Sequence, residues 1–218
     1  MVLRRGCHRA TCRPQVRLPL VDFAGRTKID ARHSIPHPMT AQSTVRIAYL
    51  DCSSGISGDM TVAALIDAGV DFQAIKAGVE SLNLPGVVLS TETVMRCGFR
   101  GTHLKIAHPE QHAHRHYADI CRIIDGAKGL TTPQKESARR IFAAIGEAEA
   151  RVHGTSLDRI HFHEVGAIDS IVDIVGVCAG LLHFGVERLI CTPPPAGHGR
   201  VNTAHGLLPV PAPAVLEI

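Results

Sequence analysis

The stretch Val45-Arg-Ile-Ala-Tyr-Leu-Asp-Cys-Ser-Ser-Gly-Ile-Ser-Gly-Asp59 decides the fold class, because it passes from an apolar segment through a polar turn into a helix. Residues 45–50 are rich in β-branched and apolar side chains, which predicts a buried strand. The pattern after the turn predicts a helix over about 59–68, which Gly69 ends. A strand that leads into a helix is the building unit of α/β proteins.

Strands and helices continue to alternate along the chain, although irregularly. Asp71 is a suitable N-cap for a short helix, and Pro133 lies in the first turn of a long one. The predicted elements after the first unit are a helix over 72–82, strands over 87–95 and 102–107, helices over 117–127 and 131–154, an extended segment over 157–162, a helix over 164–184, a strand over 187–192, a Gly/Pro loop over 193–213 and the first turn of a helix over 213–218. We therefore expect an α/β fold with a mixed sheet and packed helices, with α+β as the rival class.

Histidine is the most unusual feature of the composition, with 14 His against 8 aromatic residues and no Trp. The scarcity of aromatic side chains argues against a stacking surface for single-stranded nucleic acid. The net charge of +3 does not support nucleic-acid binding either, because residues 1–38 carry seven Arg and one Lys against two Asp, which leaves −3 on residues 39–218. The histidines point instead to metal or proton chemistry.

The basic segment 1–38 has no apolar run of the kind found in a secretory signal. We expect it to be a start site assigned too early, a disordered arm or a targeting peptide, and we expect the folded domain over 39–218. The seven Cys are odd in number and form no C-x-x-C pair, which argues against a disulfide framework or a zinc ribbon and favours the reducing cytoplasm. The most apolar stretch, 165–186, is interrupted by two Asp, and its uninterrupted apolar run over 174–182 is too short to span a bilayer.

The turn over 51–59 is the first candidate site. Its two Gly allow tight turning, and its serine hydroxyls and helix-terminal N–H groups can hold an anion such as a phosphate. The spacing matches neither a Walker A loop nor G-x-G-x-x-G. The alternative is a well-capped turn in which Asp59 faces the helix dipole. The candidate ligand-binding residues are Asp51, Ser53, Ser54, Gly55, Ser57, Gly58 and Asp59.

The segment His112-Ala-His-Arg-His116 is the second candidate site. Its three imidazoles lie on one side of an extended chain, and the first and last share a face if the segment is helical. Imidazole suits nickel, zinc, copper or iron, while the alternative is a solvated loop. The candidate metal ligands are His112, His114 and His116, together with His161 and His163 of the next block.

The third candidate site is His161-Phe-His-Glu-Val-Gly-Ala-Ile-Asp-Ser-Ile-Val-Asp173. Its last two carboxylates lie one helical turn apart among apolar neighbours, so each must be paired, metal-bound or protonated. Two His and up to three carboxylates suit a divalent metal, while the alternative is salt bridging within a packed helix. The candidate catalytic residues are His161, His163, Glu164, Asp169 and Asp173.

Two further features of the sequence indicate a functional site less specifically. His198 and His205 lie in the Gly/Pro loop, which fits an active-site loop and a plain connector equally well. Cys52 precedes a helix N-terminus, which predicts a lowered thiol pKa and an ability to handle nickel or a sulfur-bearing ligand. The alternative for Cys52 is a small buried hydrophobic residue.

Three blocks together resemble the nickel insertion proteins of nickel-pincer cofactor biosynthesis, the LarC family. The blocks are Leu50–Met60, His161–Gly176 and Ala204–Pro213, and they occur in the family's order. The resemblance covers about residues 45–218 and corresponds to the N-terminal half of the family's chain. It implies that residues 39–218 are that N-terminal domain, truncated at its C-terminal end.

The resemblance implies that the protein inserts nickel into pyridinium-3,5-bisthiocarboxylic acid mononucleotide, so that two sulfurs and a ring carbon become nickel ligands. It further implies a cytoplasmic cyclometallase of the lyase class that matures lactate racemase, consumes CTP and is assisted by Mn²⁺ or Mg²⁺. The expected partners are the mononucleotide, a CTP-binding C-terminal half, a lactate racemase-type apoenzyme and further copies of the chain, without nucleic acid or membrane. Two alternatives stay open: a nickel storage or delivery module, and a metal-dependent phosphoester hydrolase.

Overall fold

A computed structural model describes residues 45–109, 115–162, 165–203 and 206–218. Helices and short strands alternate within these ranges. The helices are α1 (Gly58–Asp67), α2 (Phe72–Glu80), α3 (Tyr117–Gly126), α4 (Thr132–His153), α5 (Ile168–His183) and α6 (Pro213–Glu217). The strands are β1 (Ile47–Leu50), β2 (Val88–Arg96), β3 (Phe99–Ala107), β4 (Arg115–His116), β5 (His161–Phe162), β6 (Arg188–Cys191), β7 (Arg200–Thr203) and β8 (Gly206–Pro209).

The strands form ribbons of two strands each in the described part of the chain. Strands β1 and β6 pair in parallel, with Leu50 opposite Cys191. The other three ribbons are antiparallel: β2 with β3, β4 with β5, and β7 with β8. The fold class is therefore mixed α/β with packed helices, as the sequence predicts, and the strands are both parallel and antiparallel.

Helix α5 is the centre of the packing, because α1, α2 and α4 all contact it. More than half of its apolar side chains are buried and the others are half-buried, which fits the long apolar pattern of this segment. Gly176 and Gly180 let α1 and α2 approach closely, since an added Cβ at either position would lie 3.0–3.1 Å from side chains of those helices. Helix α4 closes the core on another side and contributes the fully buried Phe142.

The helix ends follow the local sequence signals. Asp71 caps α2 by accepting a hydrogen bond from the N–H of Gln73 at 2.9 Å. The side chain of Gln134 accepts from the N–H of Thr131 at 2.8 Å, which closes a capping box at the start of α4. Gly154 ends α4 in the left-handed conformation, with φ of 61°.

Three local predictions are wrong. Residues 157–159 form a turn instead of an extended segment, because the carbonyl of Ser156 accepts the N–H groups of Arg159 and Ile160 at 3.0 and 3.1 Å. The helix predicted from Glu164 begins at Ile168, after a tight turn. The Gly/Pro segment 193–213 contains the β7–β8 hairpin, and Gly206 begins β8 with φ of +89°. In the described part of the chain, no helix is both long enough and apolar enough to cross a membrane.

Candidate functional site

The turn after β1 lies at the carboxyl end of the parallel ribbon. Asp51 accepts a hydrogen bond from the N–H of Ser53 at 3.0 Å, which fixes the start of the turn. Thr192, the residue after β6, accepts from the N–H of Cys52 at 2.7 Å, and its hydroxyl donates to Asp51 at 3.5 Å. A hydrogen bond from the Ser53 side chain, together with those from the Ser53 N–H and the Thr192 hydroxyl, holds the pKa of the exposed Asp51 carboxyl below its ordinary value. Thr192 is missing from the sequence-predicted site, although it follows β6 as Asp51 follows β1.

The same turn ends in a well-capped helix. Ser57 is the N-cap of α1, and its hydroxyl donates to the carboxylate of Asp59. The N–H of Met60 donates to Asp59 at 2.8 Å and reaches Ser57 at 3.4 Å. Several donors that the sequence offers to an anion are thus already used within the turn. Ser53 and Ser54 are exposed and Gly55 is half-buried, so these positions remain accessible to a ligand.

Helices α1 and α5 touch at Gly58 and Asp173. A Cβ added at Gly58 would lie 2.3 Å from the Cβ of Asp173 and 2.8 Å from its Oδ2. Any residue larger than glycine at this position would therefore force the surrounding structure to rearrange. The contact brings the first and third candidate sites together at the N-terminus of α1. It places the carboxylate of Asp173 directly beside the candidate anion-binding turn.

The Asp173 carboxyl is largely buried, and its Oδ1 has no hydrogen-bond partner among the described residues. Burial raises its pKa, and the negative charges of Asp59 and Asp169 raise it further, to about 7. A hydrogen bond from the backbone N–H of Asp59 acts in the opposite direction. The result is a carboxyl group that exchanges its proton near neutral pH, as general acid–base catalysis requires.

Asp169 has a different partner. Its carboxylate contacts Nε2 of His108, whose Nδ1 lies 2.8 Å from the carbonyl oxygen of Pro109. Within the described residues, neither Asp169 nor Asp173 pairs with Lys or Arg, which disfavours simple salt bridging within a packed helix. His108 is a site residue that the sequence prediction missed. The sequence feature that could have indicated His108 is its position directly after β3, at the start of the His-rich segment.

A pair of histidines lies on the short ribbon β4–β5. His116 is opposite His161, and their ring centroids are 3.9 Å apart with planes tilted by 45°. Nδ1 of His116 lies 3.1 Å from the carbonyl oxygen of Ile160, and the His116 side chain also takes part in a capping box with Asp119 at the start of α3. Metal-binding histidines are commonly oriented in this way by a backbone carbonyl. His161 is exposed and His116 half-buried, so a metal ion can reach them.

Several predicted site residues lie outside the described part of the chain: His112, His114, His163, Glu164 and His205. His198 is described and exposed. Among the described residues, no three His, Cys, Asp or Glu side chains converge on a point where they could hold a metal ion. The roles predicted for the individual site residues therefore stay predictions.

The lowered thiol pKa predicted for Cys52 is wrong, and the alternative of a small buried hydrophobic residue fits the structure. Its thiol is buried, and burial raises its pKa, with smaller contributions from Cys191 and Asp51. The expected lowering by the helix N-terminus is absent because α1 begins only at Gly58, beyond the intervening turn. Cys52 therefore behaves as a small buried hydrophobic residue.

Comparisons with known proteins agree on one family. A family model described as "Nickel insertion protein" matches residues 48–218. The "Pyridinium-3,5-bisthiocarboxylic acid mononucleotide nickel insertion protein" of Desulfitobacterium hafniense is 48% identical over 174 residues, which are 80% of this chain and 43% of the relative. The "Putative nickel insertion protein" of Rhodopirellula baltica is 50% identical over 170 residues, which are 78% of this chain and 43% of the relative.

A third relative extends the same result. The "Putative nickel insertion protein" of Geobacter metallireducens is 49% identical over 177 residues, which are 80% of this chain and 45% of the relative. The chain thus spans less than half the length of these curated relatives. No solved structure matches it.

Proposed function

The chain belongs to the family of nickel insertion proteins, and from this premise we propose that it inserts nickel into pyridinium-3,5-bisthiocarboxylic acid mononucleotide. The observation that carries the proposal is the contact between Gly58 and Asp173. It places a carboxyl group with a pKa of about 7 beside a serine-rich turn at a helix N-terminus. A turn of this kind suits the phosphate of a mononucleotide, and the carboxyl suits a proton transfer.

The chemical step assigned to Asp173 is the removal of one proton. Formation of a nickel–carbon bond replaces a ring C–H bond, and the electron pair of that bond passes to Ni²⁺ while the proton leaves. A base with a pKa near the working pH accepts this proton most effectively. Asp173 has such a pKa, and its Oδ1 has no other described partner.

Nickel is the cargo of this reaction, and the histidine pair is its proposed entry point. Nickel accepts imidazole nitrogen, and the His116 ring is oriented by the contact between its Nδ1 and the backbone carbonyl of Ile160. His161 stacks against it from the opposite strand. We assign the neighbouring His112, His114 and His163 to the same loading site, and Glu164 and Asp169 to the working site with Asp173.

The other groups that the family resemblance implies have no preformed site in the described residues. Mn²⁺ or Mg²⁺ needs several oxygen ligands, and no three suitable side chains converge there. We place the CTP site in the part of the family's polypeptide outside residues 48–218, and derive no step through either group. The proposal also includes the maturation of lactate racemase, the lyase class, the cytoplasmic location and self-association of the chain.

The experiment that tests this proposal supplies the chain with Ni²⁺, CTP, the mononucleotide and the remainder of the Desulfitobacterium relative, co-expressed with it. Mass spectrometry of the small molecule should show nickel gained and protons lost. Asp173→Asn should reduce product formation by about 10²-fold or more, as the loss of a general base does. The matched control is Asp158→Asn at an exposed turn, which should leave the rate unchanged.

A second candidate function is nickel storage or delivery without chemistry. The accessible pair His116 and His161 favours it, because such a pair binds metal without any need for Asp173. In the same experiment, nickel bound to the protein with no covalent product under any condition would support this second function. A phosphoester hydrolase is less well supported, since the described residues contain no metal cluster and the turn uses several of its own donors.

A further inference from the structure

The ribbon formed by β1 and β6 has one uncovered apolar face. Paired residues in a parallel ribbon point to the same side, so Tyr49 and its partner Ile190 share a face with Ile47. Ile47, Tyr49 and Ile190 are 49%, 43% and 38% exposed, whereas Ala48 and Leu50 on the other face are only 8% and 7% exposed. One face of the ribbon is thus buried, and the other is left in contact with water.

A two-stranded parallel ribbon with one uncovered face is an unusual arrangement on its own. Parallel sheets occur almost only where both faces are covered, and two strands alone give little stability. In the described part of the chain, no further strand pairs with the free edges of β1 and β6. Leu189, on the partly covered face, is also 47% exposed, so β6 is open on both sides. The ribbon has the character of the edge of a larger sheet.

The relatives indicate what completes this sheet. The chain spans 43–45% of the length of the curated relatives it matches, so more than half of each relative is additional polypeptide. We propose that this additional part of the family's polypeptide docks on the exposed face of β1–β6, covers Tyr49 and Ile190, and extends the sheet from the free edge of β6. The partner is thus a protein segment with an apolar strand.

Because the ribbon ends beside the candidate site, a partner that docks on the ribbon would also approach that site. Asp51 and Thr192 follow directly after β1 and β6, at the carboxyl ends of the strands. In open α/β sheets, ligands bind in the crevice outside these ends. A parallel strand added to the ribbon would therefore end beside Asp51 and Thr192 and bring residues of the partner to the same crevice. This inference rests on burial and pairing, and it stands even if the proposed nickel chemistry fails.

The test is site-specific photo-crosslinking in the full chain, co-expressed with the remainder of the Desulfitobacterium relative. A benzoylphenylalanine at Tyr49, and in a second variant at Ile190, should crosslink to that polypeptide after irradiation. The control is the same substitution at Met95, which is 64% exposed on the β2–β3 hairpin and should give no crosslink. Peptide mapping identifies the attached segment.

A binding measurement gives the same test without a crosslinker. Tyr49→Ser combined with Ile190→Ser should lower the affinity for the co-purified polypeptide by about tenfold or more, because exposed aromatic and aliphatic anchors carry much of an interface. Met95→Ser should leave the affinity unchanged. Crosslinks to a second copy of the chain or to its own residues 1–44, no crosslink at either position, or an unchanged affinity would each overturn the proposal.

Discussion

The α1–α5 contact and the β4–β5 histidine pair differ in how tightly they are packed and in how exposed they are. At the α1–α5 contact, Gly58 and Asp173 meet without space for one more carbon atom, and the carboxyl loses much of its hydration. At β4–β5, His116 and His161 lie on two-residue strands and remain accessible. Tight packing changes the pKa of a fixed group, whereas an open ribbon keeps ligands available to a metal ion. Substitutions in the two regions should therefore act on different properties.

The largest effect on stability should come from Gly58→Ala. The added methyl group overlaps the Cβ of Asp173, which is anchored to the helix backbone and cannot move aside by a rotamer change. Overpacking of this kind costs about 1–3 kcal/mol, so the free energy of unfolding should fall by about 3 kcal/mol. Urea denaturation measures the change.

The matched control for that substitution is Gly126→Ala, at the last residue of α3, where an added Cβ meets nothing within 4 Å. Alanine has the higher helix propensity, so this variant should be neutral or slightly more stable. Equal losses of stability in the two variants would show that α1 and α5 do not meet at Gly58.

The second largest effect should come from Asp173→Asn, and it should depend on pH. The folded-state pKa is raised from 3.8 to about 7, so the folded protein binds this proton more tightly than the unfolded chain. The wild type therefore loses stability as the pH rises from about 4 to about 7, and the loss persists above pH 7. A shift of this size corresponds to about 4 kcal/mol at most, and solvent reduces it because the Asp173 side chain is only partly buried. Asparagine removes this titration, so the variant should exceed the wild type by about 1–2 kcal/mol at pH 8, and the difference should disappear near pH 4.

Thermal unfolding at a series of pH values measures this difference between wild type and variant. Asp158→Asn, at an exposed turn position, supplies the baseline, and its stability should follow that of the wild type. If the stability difference for Asp173→Asn were constant between pH 4 and pH 8, the raised pKa of Asp173 would be wrong.

The order of the elements was predictable from the sequence because it depends on local signals. The strand before Asp51, the capped helix after Asp71 and the glycine stop at Gly154 all follow from neighbouring residues. The start of α5 was not predictable in this way. Gly166 packs so closely against Phe162 that a Cβ would lie 2.7 Å from its carbonyl oxygen, and this contact holds residues 165–167 in a turn before the helix.

The composition of the site was predictable, but its assembly was not. The sequence shows that Asp173 is a carboxylate on an apolar helix and must be paired, metal-bound or protonated. It does not show that Gly58 faces Asp173, because that contact depends on how α1 packs on α5. The partners His108 and Thr192 were missed for the same reason, since each is joined to its carboxylate by tertiary structure alone.

A smaller effect should follow from His108→Gln, which removes the contact with Asp169 at the edge of the α1–α5 region. The Asp169 side chain is 46% exposed, so solvent screens the pair, and the loss of stability should be about 0.5–1 kcal/mol. Urea denaturation at neutral pH checks this. His103→Gln is the matched control, because His103 also contacts a half-exposed carboxylate, that of Glu92 on the β2–β3 hairpin. If only His108→Gln lowered the nickel insertion rate, the contact with Asp169 would belong to the site.

The smallest effect on stability should come from His161→Ala, and this variant should separate the two regions most clearly. The ring is exposed, and the described part of the chain gives it a ring contact with His116 but no hydrogen bond. The free energy of unfolding should therefore change by less than about 0.5 kcal/mol. Nickel affinity, measured by calorimetric titration, should nevertheless fall by about tenfold or more, since a ligand is lost.

His183→Ala, at an exposed position in the last turn of α5, should change neither quantity. If His161→Ala and His183→Ala bound nickel equally well, the β4–β5 pair would not be a loading site, and the contrast with the α1–α5 contact would be one of packing alone.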